Sequence, residues 1–195
     1  MPKNFKVQDK YFDRAKRQGY LARSVFKLGE IQNKFKLIKK GNSILDLGAA
    51  PGSWLQYAVE IAGPKATLIG VDQAQIKKIA SNVKTIEADI FSADLENMIK
   101  EIYPDKFDII LSDLAPKTSG VKDVDQARSI ELNERVLELS NSLLRSNGHI
   151  VLKVFRGGDF DNFLYHVKKK FKFVKTFKPK ASRDRSFEIY VIVKK

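Results

Sequence analysis

The segment 44–54, ILDLGAAPGSW, constrains this chain more than any other stretch. An apolar run enters a turn with glycine at 48 and 52, and Pro51 stands just before a helical pattern that begins at Ser53. Gly48 and Gly52 let the backbone pass close to a ligand, and the proline ring fixes φ at the mouth of the helix. A strand–turn–helix of this kind belongs to an α/β sheet whose ligand lies outside the carboxyl end of the strand. The spacing is Gly-x-x-x-Gly rather than the Gly-x-Gly-x-x-Gly that cradles a pyrophosphate, and the turn carries no phosphate-binding Lys-Ser/Thr pair. The turn therefore suits a ligand without phosphates, with Gly48, Ala49, Pro51 and Gly52 as its candidate contacts.

Around this unit, helical patterns alternate with short β-branched runs, as in a parallel sheet with crossover helices. Residues 24–35 read as a helix with Val25, Leu28, Ile31, Gln32 and Phe35 on one side, and Gly41-Asn42 follows as punctuation. Strands are expected over 43–47, 67–71, 82–86, 107–111 and 149–155, with helices over 53–62, 95–103 and 125–145. In the longest helix Leu132, Val136, Leu139 and Leu143 recur at i, i+4, i+7 and i+11, which makes one buried stripe. Phe160, Phe163, Leu164 and Val167 mark a further amphipathic helix. Strands around 171–177 and 187–193 leave no room for a helix between them and are expected to pair antiparallel. The fold class is thus α/β: a doubly wound, mostly parallel sheet of seven strands with one reversed strand at its end and helices on both faces. No repeat or linker divides the chain, so residues 1–195 are expected to form one domain, with 1–40 as a basic helical extension.

The strands of this sheet bring acids to one edge: Asp46 near the first, Asp72 after Gly70-Val71, Asp89 after the third and Asp113 after the fourth. A single aspartate after a strand is most often a helix cap. Four at successive strand ends point to a shared ligand instead. Asp72 suits two ribose hydroxyls, Asp89 an exocyclic adenine amine, and the set suits a sulfonium cation but would repel pyrophosphate.

Charge adds a second constraint. The net charge is +13, yet residues 1–40 carry 12 Lys and Arg against 3 acids and residues 165–195 carry 11 against 2, while the middle is net negative. Both ends, folded onto one face, would form an electrostatic footprint for phosphates, interleaved with Phe5, Tyr11, Phe12, Tyr20, Phe171, Phe173 and Phe177. The chain has no cysteine and only His149 and His166, which leaves neither a disulfide framework nor a thiolate or histidine-rich metal site. No apolar run approaches the roughly 20 residues of a membrane span. A soluble, intracellular protein follows, cytoplasmic by default, with a nucleolar or organellar location left open.

Six segments in order carry a resemblance over nearly the whole length. They are Asp9-Lys-Tyr11, Ala22-Arg-Ser-Val-Phe-Lys-Leu28, Asp46-Leu-Gly-Ala-Ala-Pro-Gly-Ser-Trp54, Ser112-Asp-Leu-Ala-Pro116, Lys153-Val-Phe-Arg-Gly157 and Ser182-Arg-Asp-Arg-Ser-Phe-Glu-Ile-Tyr190. The chain resembles the FtsJ/RrmJ family of RNA ribose 2′-O-methyltransferases. The resemblance implies a Rossmann-like fold that binds S-adenosylmethionine and releases S-adenosylhomocysteine. It also implies a Lys-Asp-Lys-Glu catalytic tetrad, which falls on Lys27, Asp113, Lys153 and Glu188, and cofactor contacts at Gly52, Trp54, Asp72, Asp89 and Asp113. No metal is implied.

The chemistry is consistent. A ribose hydroxyl is a weak nucleophile, so its proton must leave as the oxygen attacks a methyl group, and a lysine serves as base only when desolvation or a neighbouring cation disfavours its charged form. Lys153 interrupts an otherwise apolar strand, and Lys27 would bring a second ammonium to it. Within the family, the segments Asp46-Leu-Gly48 and 112–120 and the pattern ending at Tyr190 resemble the branch that acts on large-subunit ribosomal RNA. The implied acceptor is a uridine of the peptidyl-transferase region, met within a ribosomal particle by a monomeric enzyme that touches no membrane. A tRNA anticodon-loop enzyme, an mRNA cap 2′-O-methyltransferase and a non-catalytic RNA-binding module are the alternatives.

Overall fold

A computed structural model describes residues 10–183 and 186–195. Phe5 and Asp9, and the Asp184-Arg185 pair inside the last of the six segments, lie outside the described residues. Two helices come first, α1 (Lys10–Arg17) and α2 (Val25–Phe35). Then strand and helix alternate as β1 (Ile44–Leu47), α3 (Ser53–Ala62), β2 (Leu68–Asp72), β3 (Val83–Glu87), α4 (Leu95–Ile102), β4 (Phe107–Ser112), α5 (Lys122–Leu143), β5 (Leu144–Phe155), α6 (Phe160–Lys170), β6 (Phe173–Phe177) and β7 (Glu188–Lys194).

Seven strands form one sheet in the order β3-β2-β1-β4-β5-β7-β6. The first five are parallel, and β7 runs antiparallel to both β5 and β6. The strand order reverses between β1 and β4, and a crevice opens at such a switch point, at the carboxyl ends of the strands. The reversed strand is not outermost, as the sequence suggested, but second from the edge. The reason lies in the crossover. The connection β5–α6–β6 sets β6 parallel to β5 one position away, and β7 fills the gap by pairing with both.

Two apolar clusters cover the faces of the sheet. Ile44, Ile109 and Ile192 pack with Leu28, Ile31, Trp54, Leu55 and Ala58 of α2 and α3. Leu45, Ile110 and Val193 pack with Leu95, Ile99, Val136, Leu139, Phe163 and Val167 of α4, α5 and α6. The alternation within β1 and β4 follows from the two-residue period of a strand. Helix α5 starts three residues before its expected limit and stops two residues early. Asn147, with φ 64°, and Gly148 do not end this helix; they lie in the first part of β5, where the register with β4 is interrupted between Leu144 and His149.

Within the described residues, the two basic regions meet where α2 and the turn before it contact residues 177–181. Glu30 of α2 accepts hydrogen bonds from the amides of Lys180 (2.7 Å) and Ala181 (2.9 Å), and Arg23 donates to the Ala181 carbonyl (2.6 Å). Lys34 lies 4.4 Å from the centre of the Phe177 ring, which in turn meets Phe35 edge-on. Among the described residues no helix is long and apolar enough to cross a membrane.

Candidate active site

Four strand ends converge on a cavity of about 540 Å3, lined by Gly48 after β1, Asp72 ending β2, Asp89 after β3 and Asp113 after β4. Leu47, Val71, Ile90, Phe91, Leu114 and Leu132 supply its apolar surface. Gly48 has φ +78°, and a β-carbon there would fall 2.8 Å from Leu114 Cδ2, so this turn approaches the loop after β4 only as glycine. Asp72 is aimed by two backbone amides: Oδ2 accepts from Ala50 (3.0 Å) and Oδ1 from Ala74 (2.9 Å). Asp89 accepts from the Phe91 amide (2.9 Å) and from Gln73 Nε2 (2.6 Å). Every oxygen in these two carboxylates keeps a further lone pair.

Asp46 differs from these three acids. It sits within β1 rather than beyond it, is 0% exposed, and neither carboxylate oxygen has a hydrogen-bond partner. Burial first, then the charges of Asp113 and Asp72, push its carboxyl well above the usual range. The other turn residues also stand apart from the cavity wall. Ala49 is buried, Pro51 is exposed, and Gly52 caps α3 with φ +115° against Ile76 and Ile79. Trp54 is buried in the core beneath α2, where its indole N–H donates to the Ser24 carbonyl (2.9 Å) and its ring packs on Tyr190.

The candidate catalytic residues gather beside this cavity from α2, β5, β7 and the end of β4. Lys27 Nζ pairs with Glu188 Oε1 at 2.5 Å, and Lys153 Nζ pairs with Asp113 Oδ1 at 3.2 Å. Register explains the second pair. Tyr190 lies directly across from Lys153 on β7 and also donates to Asp113 Oδ1, at 2.7 Å. Tyr190 is a residue that charge-based reading passed over; its place two residues after Glu188, on the same strand face, was the available signal. Burial, then Asp113 and Glu188, raises its phenol well above the ordinary value, so it stays a donor. Glu188 feels burial as an upward push, but its contacts with Lys27, helped by Ser182 and Lys153, hold it below the ordinary range. Glu188 is therefore ionised at neutral pH.

A second hollow of about 250 Å3 touches the tetrad from outside, lined by Arg23, Ser24, Lys27, Arg183, Ser186 and Glu188. Asp113 lines the first cavity while Lys27 and Glu188 line the second. The tetrad thus bridges an acid-lined crevice and a cationic hollow, an arrangement in which a group held on one side can react with an acceptor held on the other.

The sheet order, the switch-point crevice and its row of acids define a Rossmann-like methyltransferase. Within that class, the chain belongs to the FtsJ-like methyltransferase family, whose sequence profile matches residues 20–195. It is 46% identical over 190 residues to ribosomal RNA large subunit methyltransferase E of Syntrophobacter fumaroxidans, a match that covers 97% of this chain and 96% of the relative. A Plasmodium falciparum protein of known structure, assigned as a ribosomal RNA methyltransferase, superimposes with a TM-score of 0.81 at 32% identity, over 90% of this chain and 97% of the other. Fibrillarin of Aeropyrum pernix, solved with natively bound S-adenosyl-L-methionine, shares the fold, with a TM-score of 0.64 at 15% identity over 87% of this chain and 76% of that one.

Proposed function

We propose that the protein transfers a methyl group from S-adenosylmethionine to a ribose 2′-hydroxyl of large-subunit ribosomal RNA, at a uridine of the peptidyl-transferase region. The observation that carries this reading is the tetrad. Two lysines and two acids, from four separate parts of the chain, meet as the pairs Lys27–Glu188 and Lys153–Asp113 between two hollows. The names of the curated relatives support ribosomal RNA as the acceptor.

The donor set fits the cofactor. The cavity size is that of a small-molecule site, its apolar residues suit an adenine ring, and the carboxylates of Asp72, Asp89 and Asp113 at its strand ends suit a ribose diol, an amine and a sulfonium. Asp72, Asp89 and Asp113 would hold it. Bound there, S-adenosylmethionine supplies an electrophilic methyl group. Asp113, fixed by Tyr190, orients Lys153 Nζ. Lys153 takes the proton of the attacking hydroxyl, and Lys27, anchored by Glu188, stands beside it. The cationic hollow receives the RNA backbone. The reading takes the chain as one methyltransferase domain working as a monomer, with the ribosomal particle contributing to specificity, in whichever compartment holds that particle.

Radiolabelled methyl transfer to purified large ribosomal subunits, total tRNA and capped transcripts tests it. Label should enter the large-subunit RNA and resist alkaline cleavage as a 2′-O-methylated dinucleotide. Label confined to tRNA or capped transcripts, or carried on a base, would overturn the assignment.

A further inference from the structure

Strand β5 outruns its neighbour. Its pairing with β4 ends at Ser112 opposite Leu152, because the chain leaves the sheet there to place Asp113 in the cavity. Beyond Leu152, β5 continues through Lys153 to Phe155 with β7 alone beside it. Backbone groups on the β4 side of this extension lack the usual strand partner, and a buried, unpaired peptide group is destabilising.

Helix α5 supplies the missing partners from its side chains. Asn133 Nδ2 donates to the Lys153 carbonyl at 2.8 Å, Ser129 Oγ accepts from the Phe155 amide at 3.0 Å, and Gln126 Nε2 donates to the Arg156 carbonyl at 2.9 Å. Three polar residues on successive turns thus follow the strand in the opposite direction and replace the ladder that β4 does not provide. Asn133 and Ser129 are each 1% exposed, and Asn133 also binds the Ser129 carbonyl at 2.7 Å. Gly157 makes room for the third contact, since a β-carbon there would lie 1.7 Å from Gln126 Oε1. The same helix presents Arg128, Glu131 and Leu132 to the acid-lined cavity.

We propose that Asn133 and Ser129 are positioning residues that set Lys153 at its working depth relative to the cavity, by gripping the backbone on either side of Val154. One rigid helix then fixes both the cavity wall and the lysine. This inference rests on the reading of Lys153 as the base. A polar stripe so deeply buried has a desolvation cost that hydrophobic residues would avoid, and the hydrogen bonds to the β5 extension account for its presence. Small displacements of a reacting group have large kinetic effects, with about 1 Å worth up to about 100-fold in rate.

The test compares Asn133→Ala, Ser129→Ala and Ser129→Thr with the parent in single-turnover methylation of large subunits, together with S-adenosylhomocysteine affinity and RNA KM. Both alanine variants should lose about 10- to 100-fold in rate. Cofactor affinity and KM should be unchanged, and Ser129→Thr, which keeps the hydroxyl, should recover most of the rate. Amide exchange at Phe155 should quicken in Ser129→Ala and not in Ser129→Thr. Unchanged rates, a loss that appears in KM or cofactor affinity, or a threonine variant as slow as alanine would overturn the inference. Lys153→Ala separates the two layers. If that variant is inactive while the alanine variants are normal, only the positioning role fails; if it is fully active, the reading of Lys153 as base fails. Should Asn133→Ala not fold, the Ser129 pair decides alone.

Discussion

At Asp46 a carboxyl is held in the middle of the sheet without a single hydrogen bond. Its native form titrates well above the ordinary value of 3.8, so between those two values the folded chain keeps a proton that the unfolded chain has released. Stability therefore falls as pH rises through that window. In urea unfolding, Asp46→Asn should gain on the parent as the pH is raised from about 4 to about 8, and a difference that stayed constant would show Asp46 titrating normally. Gly48→Ala should cost about 1–2 kcal/mol from the left-handed backbone alone. It should also weaken S-adenosylhomocysteine binding measured by calorimetry, because the new methyl group meets Leu114. Lys153 stood out as a charge in an apolar strand, whereas Lys27, Asp113 and Glu188 were marked as catalytic only by segments shared with the family that the chain resembles; the structure pairs Lys27 with Glu188 and Lys153 with Asp113. Their neighbours were not legible. Asn133 and Ser129 look like solvent-facing residues in a polar helix, and only the early end of β4 gives them something to bind. Trp54 matched a cofactor position by motif, yet it stands on the face of α3 turned to the core.

Among the elements, the passage from α2 to β1 depends on one side chain. Gln32 donates to the Ile38 carbonyl at 2.8 Å and accepts from the Ile38 amide at 2.9 Å, so its amide closes the loop after the helix as a strand partner would. With Gln32 buried, Gln32→Ala should cost about 1–3 kcal/mol in chemical denaturation. The loss should loosen Lys27, which the same helix carries. Periodicity found most helices and strands to within a few residues, since apolar spacing distinguishes 3.6 from 2 directly. It did not place β7. The antiparallel pairing with β6 follows from the short connection, but insertion between β5 and β6 depends on where the α6 crossover leaves β6, a long-range property that no local spacing encodes.

Over the whole molecule, positive charge is sorted to the two chain ends, and contacts between α2 and residues 177–181 bring the described parts of these two basic regions together. The cationic hollow with Arg23, Lys27 and Arg183 lies where they meet. RNA affinity should therefore fall steeply with salt, and neutralising Lys34 or Lys175 should reduce the slope of log K against log salt by about 1 for each phosphate no longer neutralised. A slope unchanged in both variants would place the RNA elsewhere. The proposed chemistry itself turns on one amine. It is decided by methyl transfer to large ribosomal subunits by Lys153→Ala, read alongside that variant's affinity for S-adenosylhomocysteine. With Lys153 as the base, transfer should drop by at least about 100-fold while cofactor affinity is retained. Near-parental turnover by that variant would mean that another group takes the proton.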